Sequence, residues 1–128
     1  MTEASDNLKN ALAAAERKDW AEAVRPFIPL AEAGDATARC NVASMYWFGW
    51  GLPVDGHKAA ELYLDVAERG LEEEHLSALA CHNLATLYIT GAPGFERDLD
   101  KSRAVREAGK GGGVQSRRGR VKAYLRER

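Results

Sequence analysis

The segment from Ala31 to Gly70 constrains this chain most. It opens Ala31-Glu32-Ala33-Gly34 and closes Ala67-Glu68-Arg69-Gly70, so one ending recurs after 36 residues. Two helical patterns and a Gly-Pro turn lie between the two glycines. In the second pattern Ala59, Leu62, Tyr63, Val66 and Ala67 fall at i, i+3, i+4, i+7 and i+8, one face of a helix. Asp55 stands at its N-cap and Gly70 at its close. The first pattern starts after Asp35 and sets Ala36, Cys40, Ala43 and Trp47 on one stripe, and Gly49, Gly51 and Pro53 supply the turn. Small residues (Ala36, Ala38, Ala43, Ala59, Ala60) let the two helices approach as an antiparallel hairpin. A helix pair returning at this period is the signature of a helical repeat array, whose stacked units bury one continuous core.

The flanking segments extend the pattern. Residues 4–34 read as a degenerate first hairpin. Ser5 or Asp6 caps a helix running through Arg17 with Leu8, Leu12 and Ala15 on one stripe, and Lys18-Asp19 makes the turn. Trp20, Ala23, Val24, Phe27 and Ala31 line its second helix. Pro26 and Pro29 each remove a backbone donor there, which predicts a kink near Arg25–Pro29. Residues 35–70 form the full repeat and 71–112 an enlarged one. Asn83-Leu84-Ala85-x-Leu87-Tyr88 repeats Asn41-Val42-Ala43-x-Met45-Tyr46 at a shift of 42. The six extra residues fall in Leu71–Ser77, so a longer helix from about Glu72 to Thr90 is expected. A turn from Gly91 to Phe95 follows, then Asp98 or Asp100 as a cap and a short helix from Leu99 to Ala108. After the Gly109–Gly113 break, residues 113–128 read as a basic capping helix. The fold class expected is all-α, an alpha-alpha superhelix (solenoid) of about three antiparallel helix hairpins plus that C-terminal helix, in a single domain.

Certain of these residues resemble a known family. Gly34-x-Ala36, Asn41-Val42-Ala43-x-Met45-Tyr46, Gly49-x-Gly51-Leu52-Pro53-x-Asp55, Lys58-Ala59 and Ala67-Glu68-x-Gly70 are similar to the Sel-one-like repeat, a relative of the tetratricopeptide repeat. Ala43 departs from it, since the family usually has Gly there, but Ala is still small. Asp19-Trp20-x-x-Ala23 and Pro29-Leu30-Ala31-Glu32-x-Gly34 resemble the opening half-unit of many bacterial members. The resemblance implies a rigid right-handed stack with a concave surface formed mostly by first helices, and a role in complex assembly, signalling, or secretion and host contact.

Charge is split along the chain. Residues 1–100 hold 8 Lys/Arg against 17 Asp/Glu, a net of −9, and residues 101–128 hold 10 against 2, a net of +8, which together give the −1 of the whole. Met1 to Asn10 lacks the basic start and apolar core of a secretory signal, and no apolar run approaches 18 residues, so the expectation is a cytoplasmic protein without a membrane segment.

The residues therefore predict a non-catalytic adaptor that binds a protein or peptide. Trp47, Phe48 and Trp50 at the mouth of the turn are candidate contacts, since Trp dominates interface hot spots. Packing into the core is the alternative for each, strongest for Trp47 on its stripe. Arg39, Asn41 and Asn83 are candidates on the groove. The two matching asparagines serve equally well as part of the repeat frame, bonding nearby backbone. The basic tail, Arg117, Arg118, Arg120 and Lys122, suits an acidic partner or, less well, nucleic acid, because it lacks interleaved aromatics. A solvated capping helix explains it too. A homo-oligomer formed by stacked solenoid ends is a third reading. Cys40 and Cys81 read as reduced, partly buried thiols, and no CxxC or HxxxH spacing suggests a metal. Gly-Lys-Gly at 109–111 lacks the spaced glycines and Ser/Thr of a phosphate loop, so no catalytic residue, metal or cofactor is expected.

Overall fold

The computed structural model describes residues 3–69, 74–110 and 120–126. These form seven helices and no strand: α1 (Glu3–Glu16), α2 (Trp20–Glu32), α3 (Ala36–Phe48), α4 (Gly56–Ala67), α5 (Glu74–Thr90), α6 (Leu99–Lys110) and α7 (Arg120–Arg126). Each helix packs on the next in sequence, α3 also touches α5, and α7 also touches α4. The closing role expected of Gly70, the helix start at Glu72, and Arg117 and Arg118 lie outside the described residues.

One aspartate device closes all three hairpins. The backbone N–H of Asp19, Asp55 and Asp98 donates to the carbonyl of Ala14, Tyr46 and Tyr88, at 2.9, 2.8 and 2.8 Å. The same three carboxylates then cap the following helix, accepting from the N–H of Glu22, Lys58 and Lys101 at 3.3, 3.0 and 2.9 Å. The aspartate thus stops one helix and starts the next, satisfying donors that the helix cannot. Asp98, rather than Asp100, is the cap of α6. In the last two hairpins the likeness extends to side chains: Lys58 Nζ lies 5.3 Å from the centre of the Tyr46 ring and Lys101 Nζ 5.9 Å from that of Tyr88.

Two apolar clusters meet at α3. Ala38, Val42 and Met45 face α1 and α2, packing with Phe27 and Ala23, while Ala36, Cys40 and Ala43 face α4 and α5, packing with Tyr63 and Leu84. The single stripe expected of this helix is thus one of two, and a helix apolar on two faces is covered on two faces. Cys40 and Cys81 are both buried, with no disulfide among the described residues. α2 runs through Pro26 and Pro29 as one element. The carbonyls deprived of partners belong to Glu22 and Arg25, both exposed, so water can replace the lost donors.

Candidate functional site

The turn after α3 carries the most exposed aromatic surface. Gly49 ends α3 in the left-handed region, and the chain then doubles back against the start of α2. Gly51 makes that approach feasible. Its φ is +78°, and a β-carbon there would stand 2.8 Å from the carbonyl oxygen of Trp20. This brings Trp20 of the first hairpin onto Trp50 of the second.

The result is a run of four stacked rings. Trp20 and Trp50 lie 4.6 Å apart and 8° from parallel, Trp50 and Phe48 4.8 Å and 29°, Phe48 and Trp47 4.5 Å and 17°. Trp47 in turn meets Tyr63 edge-on at 6.2 Å and 86°, which ties the run to the core. Phe48 is 48% exposed and Trp50 38%, whereas Trp47 and Trp20 are half-buried. Trp47 therefore belongs partly to the core and partly to the lip. Phe48 has a stacked neighbour on each face, so its rim is what meets solvent. Ring edges carry the positive side of the aromatic quadrupole and suit carbonyl and carboxylate oxygens or the face of another ring. Sequence reasoning missed Trp20 as a lip residue. Its place directly after the Asp19 cap, at the mouth of its own hairpin, was the available signal.

The groove residues are drawn into the frame. Arg39 Nε donates to Ala31 O at 2.8 Å, at the carbonyl end of α2, and its Nη1 donates to Asp65 at 2.6 Å. Arg69 Nη2 donates to the same carboxylate oxygen at 2.9 Å. Partial burial by itself raises the Asp65 carboxyl, but the hydrogen bonds and charges of Arg69 and Arg39 outweigh it and hold the group below its ordinary 3.8. A depressed carboxyl adds stability above its unfolded pKa, and that stability is lost as pH falls through the folded value. Asp65→Asn is therefore expected to flatten the acid limb of the stability profile below pH about 4. Because the carboxylate is 43% exposed, Asp65→Ala should cost only about 1 kcal/mol. Thermal melts from pH 3 to 7 check both, and an unchanged acid limb would count against the clamp.

Asn41 donates its amide to Thr37 O at 2.8 Å, within its own helix. Asn83 lies near the Tyr63 hydroxyl and helps to hold its pKa down, and that hydroxyl is 2.5 Å from Ser44 Oγ. The two matching asparagines thus differ in their surroundings, Asn41 bonding its own helix and Asn83 lying by Tyr63.

Three cavities lie end to end along α4. The first, about 430 Å³, is lined by Ile28, Arg39, Tyr46, Lys58, Leu62 and Asp65 among others. The second, about 580 Å³, sits over the α5–α6 turn and includes His57, Glu61, Tyr88, Phe95 and Lys101. The third, about 350 Å³, reaches α7. Glu61 borders the first and second, and Leu64, Tyr88 and Lys101 border the second and third. Of the residues predicted from sequence, Arg39 and Lys122 line this groove. Arg120 instead donates to the Tyr124 hydroxyl at 3.2 Å, on α7 itself.

No group of three or more His, Cys, Asp or Glu that could hold a metal occurs among the described residues, and none of their helices is long and apolar enough to cross a membrane. No protein-family model matches the chain, and no curated protein or solved structure matches it either.

Proposed function

We propose that this protein is a non-catalytic adaptor that binds another protein through the aromatic lip and the groove along α4. In this reading the hairpins stack as a solenoid of the Sel-one-like kind, and its rigidity limits the entropy lost on binding. The observation that carries it is the exposed edge of Phe48 and Trp50, held in register by stacking on Trp20 and Trp47. Large preorganised aromatics at a rim suit an interface better than they suit solvent. The net +8 of residues 101–128 favours a second reading, in which an acidic partner is held mainly by the basic C-terminal segment.

Affinity capture separates the two. Baits are wild type, Phe48→Ala/Trp50→Ala, and Arg117→Gln/Arg118→Gln, followed by identification and titration of the purified partner. Loss of about 2 kcal/mol, roughly thirtyfold in Kd, is expected for the aromatic variant alone. Binding that survives this variant and disappears with the arginine variant would move the site to the basic end.

A further inference from the structure

We propose that the α7 end of the groove is a subsite for an acidic side chain of a bound peptide segment, with Lys101, Lys122 and Arg126 set around an apolar floor of Leu64, Tyr88 and Leu125. The inference rests on the adaptor reading and names the chemistry that one end of the groove selects.

The lining of this cavity holds three cations and no carboxylate. Among the described residues no ion pair takes up Lys101, Lys122 or Arg126, as is also true of several other cations such as Lys58 and Arg97. Two carboxylates from the adjoining segments each accept from backbone, and the charge of Asp98 still reaches Tyr88. Glu68 Oε1 accepts from the Lys122 N–H at 2.6 Å, and Asp98 Oδ1 accepts from the Lys101 N–H at 2.9 Å. Glu61 borders the two neighbouring cavities and not this one.

Lys101 and the α7 backbone are also held in place. Lys101 lies over the Tyr88 ring, and α7 is docked by the fully buried Val121 as well as by the Glu68 contact. Burial and the charge of Asp98 both push the Tyr88 phenol up, so it stays a neutral O–H that can donate to an incoming oxygen. Positive charge above an apolar floor fits a Glu or Asp beside a Leu-like residue. The opposite end of the groove mixes signs, with Arg39 and Lys58 beside Glu32, Glu61 and an ion-paired Asp65, so the α7 end is the one whose lining carries a single sign of charge. Nucleic-acid phosphates would satisfy the cations but leave the floor unused.

The test is fluorescence anisotropy at physiological salt with short labelled blocked peptides alternating Leu and Glu, Leu and Gln, or Ser and Glu, and with oligo-dT. The Leu–Glu peptide is expected to bind about tenfold tighter than either of the other peptides or oligo-dT. Lys122→Gln/Arg126→Gln should remove the preference without moving the melting temperature, both positions being exposed. Arg117→Gln/Arg118→Gln should keep it within about twofold. Equal binding of the Leu–Glu and Leu–Gln peptides overturns the proposal. So does a preference that follows Arg117 and Arg118, or oligo-dT binding as tight as Leu–Glu. If the preference fails while Phe48→Ala/Trp50→Ala still loses its captured partner, this inference falls and the adaptor reading stands.

Discussion

Replacing Tyr63 by alanine is expected to destabilise the protein by about 3–5 kcal/mol, since it removes a fully buried aromatic and leaves a cavity. Tyr63 lies where α4 meets α3 and α5. Its ring and that of Trp47 meet edge-on, and its hydroxyl hydrogen-bonds Ser44 on α3 with Asn83 of α5 close by. Tyr63→Phe keeps the ring and loses the hydroxyl network, a cost of about 1–2 kcal/mol. Urea titrations of the two variants measure the split, and a Tyr63→Ala loss below about 1 kcal/mol would contradict this packing. Alkali adds an independent check. Burial pushes the Tyr63 phenol from 10.0 up to about 12, so the folded protein keeps a proton that the unfolded chain releases. That contribution, about 3 kcal/mol, is fully present below pH 10 and is lost as pH rises toward 12. Tyr63→Phe should reduce the alkaline slope, with the raised Tyr88 supplying what remains.

Gly56→Ala should cost about 1–3 kcal/mol even though alanine favours helices by about 1 kcal/mol over glycine. Gly56 opens α4 beneath the second turn. A β-carbon there would stand 2.5 Å from Phe95 Cβ and 2.8 Å from its Cγ. Phe95 has little freedom to retreat, because its N–H and carbonyl are both bonded to Ala92, at 2.8 and 3.0 Å, and its ring meets His57 and Tyr88. Phe95→Gly, which removes both of those atoms, combined with Gly56→Ala should therefore show a favourable coupling of at least about 1 kcal/mol in a double-mutant cycle. Additive losses would mean that the turn gives way without strain. Since Phe95 also lines the central cavity, Gly56→Ala alone is expected to alter the shape of the groove by displacing that ring.

Local chemistry made most of the helical order legible from sequence. Asp35 and Asp55 cap α3 and α4, and Gly49 closes α3, because a cap depends on residues only a few positions away. The matched Asn41-to-Tyr46 and Asn83-to-Tyr88 strings fall in α3 and α5. What escaped was set by contacts between hairpins. A single-stripe view of α3 could not show that Ala38, Val42 and Met45 form a second buried face, since that depends on α2 lying across it. Trp20 looked like a core residue of its own helix until the Gly51 approach set it on Trp50. Arg39 looked like a free groove cation because Asp65 is 26 residues away, a distance that periodicity does not bridge.

The aspartate closures have a consequence for how the protein is made. Each hairpin closes through contacts spanning at most ten residues, so a unit can close as it leaves the ribosome, before its neighbours exist. Stacking then joins units that are already shaped, from the N-terminus onward. The same pair of bonds recurs at Asp35, which joins α2 to α3, so the link between the first two hairpins forms as locally as the closures within them.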